Sequence, residues 1–261
     1  MAAGFSNPFR RAKAARKDVA PAATPPGSRV YAVGDIHGRA DLLDDLHRLI
    51  AEDAAGAAAA RRVIVYLGDY IDRGFESRRV IETLIDKTPD GFEAVHLLGN
   101  HEQALLDFLD DVRAGPAWMS FGGDATLVSY AVGLPASLDR DARLEVARTD
   151  LKRKLPDAHL AFLRGLPTHH VEGDYLFVHA GVRPGVPLAD QTREDLIWIR
   201  EPFLGSTADH GHVVVHGHTI HPDIGSPDLR PNRIGVDTGA YLSGHLTCVV
   251  LDGTERRFLQ T

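Results

Sequence analysis

Three short β-rich apolar runs in the first hundred residues each end on a glycine followed by a small polar residue. Val30–Val33 precedes Gly34-Asp35, Val63–Leu67 precedes Gly68-Asp69, and Ala94–Leu98 precedes Gly99-Asn100. Between the runs, Leu42, Leu43, Leu46, Leu49 and Ile50, and then Val80, Ile81, Leu84 and Ile85, recur at helical spacing. Strand, helix, strand, helix, strand predicts a layered α/β fold whose ligands collect in the loops past the carboxyl ends of the strands. Leu105, Leu106, Phe108 and Leu109 open a further helix, and residues 104–170 read as a helical insertion broken at Gly115-Pro116, Gly122-Gly123 and Pro135. Strands resume at Tyr175–Val178, Val213–Val215, Arg233–Val236 and Leu246–Leu251, which predicts an antiparallel second half.

Charge limits the partners. Residues 1–28 hold Arg10, Arg11, Lys13, Arg16 and Lys17 against Asp18, a net +4, while the whole chain sums to -7. Residues 29–261 therefore carry -11, and such a body lacks the basic face that nucleic-acid binding needs. It suits a carboxylate-rich site that attracts cations. Residues 1–28, with Pro21, Pro25, Pro26 and Gly27 in an Ala-rich stretch, read as a flexible basic tail, and residues 29–261 as a single catalytic domain. No apolar run reaches the ~18 residues of a membrane span, and no apolar stretch follows the basic start as in a secretory signal. Cys248 is the only cysteine and lies in the apolar run Leu246–Leu251. It cannot form an intramolecular disulfide, and a reducing, cytoplasmic setting is expected.

The polar residues past the strand ends are ligand types. Each preceding glycine allows a tight turn and a close backbone approach. Asp35 and His37, two apart, can reach one cation from a single turn, and Asp69 has two carboxylate oxygens with which to bridge a pair. Asn100 offers a neutral carbonyl oxygen, while His179 and His218 follow two later strands. These six oxygen and nitrogen donors include no thiolate, a mix that suits octahedral first-row ions such as Mn, with Fe or Zn as alternatives.

Five motifs stand in order: Gly34-Asp35-Ile36-His37-Gly38, Gly68-Asp69-Tyr70-Ile71-Asp72-Arg73-Gly74, Gly99-Asn100-His101-Glu102, His179-Ala180-Gly181 and Gly217-His218-Thr219. Together they resemble the metallophosphoesterases, and among these the phosphoprotein phosphatase family with its bacterial serine/threonine protein phosphatase-like members. The resemblance spans roughly residues 29–251. Gly122–Tyr130 and Val236–Tyr241 are also similar to stretches of bacterial members. It implies an α/β (α+β) fold, a layered β-sandwich flanked by helices. It implies that Asp35 and His37 hold a first cation, that Asp69 bridges, and that Asn100, His179 and His218 hold a second. A hydroxide bridging the two ions would attack phosphorus. Arg73, Arg200 and Asn100 would bind the phosphate, and His101, oriented by Asp72, would protonate the leaving group.

The activity so implied is hydrolysis of phosphate monoesters, with phosphoserine or phosphothreonine in a protein as the first expectation. A diadenosine tetraphosphate hydrolase, or another small-molecule phosphatase, is the alternative on the same scaffold, and a non-catalytic metal-binding protein a third. Many metallophosphoesterases end in G-H-x-H. Here Ile220 stands in place of the final histidine and His221 comes one residue late, which favours monoesters. Trp118, Phe121 and Tyr130 are either core residues or a surface for stacking a base. Among the other histidines, His47 reads as solvated on a charged helix face, His96 as a core residue, and His216 as a support for His218 rather than a ligand.

Overall fold

The computed structural model describes residues 21–56 and 59–261. The first half alternates as the apolar runs require: β1 (Ser28–Val33), α1 (Ala40–Ala55), β2 (Arg61–Tyr66), α2 (Ser77–Asp86) and β3 (Glu93–His96). Five helices follow: α3 (Asn100–Asp110), α4 (Gly115–Ser120), α5 (Gly123–Ser129), α6 (Arg140–Lys154) and α7 (Asp157–Arg164). The second half holds β4 (His169–Glu172), β5 (Tyr175–Val178), α8 (Arg193–Trp198), β6 (Val213–His216), β7 (Asp228–Leu229), β8 (Arg233–Gly235), α9 (Ala240–Ser243), β9 (Thr247–Asp252) and β10 (Glu255–Gln260).

These strands form two five-stranded mixed sheets, ordered β10-β9-β1-β2-β3 and β4-β5-β6-β8-β7. Side-chain alternation along each strand sorts the core into layers. Val30 and Ala32 of β1, Val63 and Val65 of β2, Val249 and Leu251 of β9, Tyr175 and Phe177 of β5, and Val213 and Val215 of β6 interleave between the sheets. The residues between them face outward. Tyr31, Val33, Ile64, Tyr66, Cys248 and Val250 pack under the helices of the first sheet, and Leu176, Val178 and Val214 pack with Leu196 and Ile197 of α8. The result is a two-sheet sandwich flanked by helices. None of its described helices is long and apolar enough to cross a membrane.

Three expectations need revision. The second half is not antiparallel throughout: β5, β6 and β8 run parallel, and antiparallel pairing is confined to β4 with β5 and β7 with β8 in that sheet. The stretches between these three strands are long enough for a crossover return, which parallel neighbours require. The stretch read as a tail is packed at its end. Ala23 N donates to Asp174 Oδ2 at 3.0 Å, Thr24 N donates to Gly253 O at 3.0 Å, and Thr24 is buried. Residues 1–20 lie outside the described residues. Finally, His47 is half-buried rather than solvated, with Nε2 2.7 Å from the Tyr66 hydroxyl.

Candidate metal and phosphate site

The loops past β1, β2, β3, β5, β6 and β8 meet along one edge of the sandwich, so residues from both sheets face each other there. Backbone bonds join the first two loops: Ile36 N and His37 N donate to Asp69 O at 3.0 and 2.9 Å, and Gly38 N donates to Tyr70 O at 2.9 Å. Glu102, fully buried, accepts from Asp69 N, Tyr70 N and Gly99 N at 2.8, 2.8 and 3.0 Å. It therefore ties the β2 loop to the start of α3. Two glycines are there for space. A β-carbon on Gly99 would collide with the Asp69 carboxylate, and one on Gly217 with the Asp35 carboxylate.

Among the described residues, two groups have ligand atoms within 4.8 Å of one another: His37, Asp69 and His101, and Asp69, His179 and His218. Asp69 belongs to both. Its Oδ2 lies 3.6 Å from His37 Nε2 and 3.7 Å from His101 Nε2, and its Oδ1 lies 3.4 Å from His179 Nε2. Asn100 Oδ1 is 2.8 Å from His179 Nε2 and 2.9 Å from His218 Nδ1. Asp35 is buried beside them, its two oxygens each accepting from His218 N at 3.1 Å. The structure thus brings all six expected ligands together. However, His101, not Asp35, stands with His37 and Asp69 in the ligand-distance group.

Several features fit these side chains to cations. His37 Nδ1 and His179 Nδ1 each lie 2.8 Å from a carbonyl, of Ile71 and Leu67 respectively. A carbonyl only accepts, so both rings carry a proton on Nδ1, which leaves Nε2 as the atom that faces Asp69. His37 Nε2 and His218 Nε2 are buried with no hydrogen-bond partner among the described residues. The site also carries surplus negative charge. Burial and the neighbouring Asp237 hold the Asp35 carboxyl well above the usual carboxylate range. Burial pushes Asp237 up to about 6 against the Gly239 N–H, with Asp69 adding to the rise. The carboxylates in turn draw His179 up to about 10 against its own burial, Asp69 contributing most. Protons here satisfy a charge demand that a cation would meet.

His101 Nδ1 lies 2.7 Å from Asp72 Oδ2. Asp72 is fully buried and also accepts from Thr126 Oγ1 at 2.6 Å and Trp118 Nε1 at 3.0 Å. Arg73 Nη2 is 3.2 Å from His101 Nε2, and its guanidinium lies over the Tyr241 ring at 4.6 Å. Arg200 is exposed and donates from Nη1 to Thr219 Oγ1 at 3.0 Å, next to His218. His216 lies outside both groups. Its Nδ1 is 3.0 Å from Gly217 O and its ring is 5.1 Å from Phe203. His221 is turned away, with Nδ1 accepting from Asp223 N at 3.2 Å.

Asp237 follows β8 as Asp35 follows β1, and that strand-end position marked it in the sequence as a residue that either lines the site or belongs to an ordinary turn. Sequence reasoning left two groups out of the site. Trp118 and Thr126 brace Asp72 from the helical insertion, and nothing in their spacing announced it. Of the three aromatics read as core or stacking surface, Trp118 and Tyr130 are buried, while Phe121 is half-buried beside His101, ring centres 5.8 Å apart.

Residues 28–248 match the calcineurin-like phosphoesterase family. A symmetrical bis(5′-nucleosyl)-tetraphosphatase of Aromatoleum aromaticum is 30% identical over 156 residues, 60% of this chain and 45% of that enzyme, so the chain matches less than half of this relative's length. The asymmetrical bis(5′-nucleosyl)-tetraphosphatase PrpE of Bacillus mycoides is 24% identical over 242 residues, covering 82% of this chain and 87% of that enzyme. The fold is similar to the crystal structure of a candidate diadenosine tetraphosphatase, with a TM-score of 0.58 at 20% identity, covering 92% of this chain and 98% of that one.

Proposed function

The chain belongs to the calcineurin-like phosphoesterase family, and on that premise we propose that it is a metal-dependent hydrolase of dinucleoside tetraphosphates. The observation that carries the phosphoesterase reading is the pair of ligand groups sharing Asp69, with Arg73 and Arg200 beside them. The choice of substrate rests on the relatives. Both curated enzymes above bear the name of bis(5′-nucleosyl)-tetraphosphatases, so the phosphoprotein first expected from the motifs gives way to its alternative.

Asp35, His37 and Asp69 would hold one cation, and Asp69, Asn100, His179 and His218 the other, with manganese the ion best suited to this donor set. When bound, such a pair neutralises charge on the phosphoryl oxygens and lowers the pKa of a water molecule. The chain does the rest. Arg73 forks onto phosphate oxygens, its planar guanidinium steadied by Tyr241. Arg200 approaches from the opposite sheet, steadied by Thr219. As water adds to phosphorus and the bond to the leaving oxygen breaks, His101 gives that oxygen a proton. Asp72 fixes the ring orientation and stabilises the positive charge on His101 beforehand.

The test is turnover of diadenosine tetraphosphate and of a phosphoserine peptide, side by side with manganese. Faster hydrolysis of the dinucleotide is expected. Hydrolysis of the peptide with no cleavage of the dinucleotide would restore the protein phosphatase reading. Asp69→Asn should abolish hydrolysis of either substrate and lower the bound metal measured by elemental analysis.

A further inference from the structure

One aromatic face at the site takes no part in the steps above. Phe121, the residue after α4, has its ring centre 5.8 Å from that of His101 and 5.4 Å from that of Trp198 at the end of α8. The Trp198 ring is in turn 6.1 Å from His218. A continuous run of rings therefore leads from His101 in one ligand group to His218 in the other. Each of the two middle rings packs one side on a core, Phe121 on the cluster under the helices and Trp198 on the cluster around α8, and each keeps part of its surface open. Leaving large rings half-covered forgoes burial that would stabilise the fold. Trp118, three residues before Phe121, is by contrast fully buried.

We propose that Phe121 and Trp198 form the shelf on which a purine base of the substrate stacks. The inference rests on the dinucleotide reading and deepens it by naming the residues that recognise the nucleoside. Three features favour a base as the occupant. The two rings are inclined at 55° to each other, so they offer an apolar ring face with an aromatic edge beside it, which suits a stacked π-system and not a peptide backbone that needs hydrogen-bond partners. The shelf adjoins the ligand histidines, so a base held there is one sugar away from a phosphate at the metal groups. Finally, Arg200 follows Trp198 by two residues, so one short segment presents both the ring and a phosphate-binding cation.

The experiment compares diadenosine tetraphosphate with inorganic tripolyphosphate, which has the same anhydride linkage and no base. Trp198→Ala and Phe121→Ala should each lower the preference in kcat/KM for the dinucleotide over tripolyphosphate by about tenfold, carried mainly by KM, as loss of one stacked base predicts. Trp198→Phe keeps a ring and should restore most of the preference. Equal losses on the two substrates, or an unchanged preference, would overturn the shelf while leaving the dinucleotide reading intact. A metal-independent readout covers the converse case. Trp198 is the only half-exposed tryptophan, since the chain has two and Trp118 is buried. Adding ATP to the metal-free protein should therefore quench fluorescence in the wild type and not in Trp198→Phe. Quenching in a wild type that fails to cleave the dinucleotide would keep the shelf and overturn the substrate reading, and absence of quenching in an active enzyme would overturn the shelf alone.

Discussion

Asp72 shows how a single residue is prepared for its task. Its carboxylate is fully buried and accepts from His101, Trp118 and Thr126. The last two come from 46 and 54 residues away and lock the carboxylate in one orientation, so His101 can present Nε2 in only one direction. His101→Asn should slow esters with alkyl leaving groups by about 10²–10⁴ and aryl phosphates much less, because a good leaving group needs no proton. Equal losses across a leaving-group series would remove the acid role. At this scale the sequence announced the candidate ligands and left out what braces Asp72. Asp35, Asp69 and Asn100 follow glycines that end strands, a local pattern. Trp118 and Thr126 meet Asp72 only through tertiary packing, which leaves no mark on their spacing.

At the level of elements, the turns carry strain. Six non-glycine residues among those described have positive φ, and five of them, His37, Asp69, Asp72, Arg73 and His218, belong to the site. Each such conformation costs about 1–3 kcal/mol, and the strained turns persist because the loops bond to one another and to Glu102. Gly99→Ala tests how tightly they are fitted. Its β-carbon would meet the Asp69 carboxylate and backbone, and the expected loss is about 1–3 kcal/mol in urea unfolding together with most of the bound metal. Loss of stability with full metal retention would mean that the Asp69 turn can relax. The same local reasoning explains what was legible among the elements. Apolar runs announced β1, β2, β3, β5, β6, β8 and β9. The strand β4 (HHVE) and the strand β10 (ERRFLQ) have few apolar residues and gain their pairing from neighbours, so they passed unnoticed. Strand direction in the second sheet depends on how the connections travel, which periodicity does not record.

Across the whole molecule, one polar cluster ties α1 to the first sheet. Asp53 accepts from Arg29 of β1 at 3.1 Å and from the Tyr31 hydroxyl at 2.7 Å, and is paired with Arg257 of β10. Burial alone would raise the Asp53 carboxyl, but the bonds from Arg257 and Tyr31 outweigh it and hold it below the usual value. Its contribution is therefore fully present above the unfolded-state value of about 3.9 and is lost as pH falls through the depressed folded value. Asp53→Asn should cost about 2 kcal/mol at neutral pH, and the difference from wild type should shrink in acid. A difference independent of pH would argue for packing instead of charge.

The candidate ligands come from two separate sheets: Asp35, Asp69 and Asn100 follow β1, β2 and β3, whereas His179 and His218 follow β5 and β6. A pair of cations seated there would act as a rivet through the open seam of the sandwich, joining halves that elsewhere meet through the apolar layer and side-chain bonds such as Arg61 with Glu172 and Arg256 with Tyr175. Whatever binds only the native state raises its melting temperature in proportion to the logarithm of its concentration. Scanning calorimetry across a manganese series should show that rise, and stripping with a chelator should free amide exchange first along the rims of both sheets. A melting point indifferent to manganese and chelator alike would mean that the seam holds itself shut.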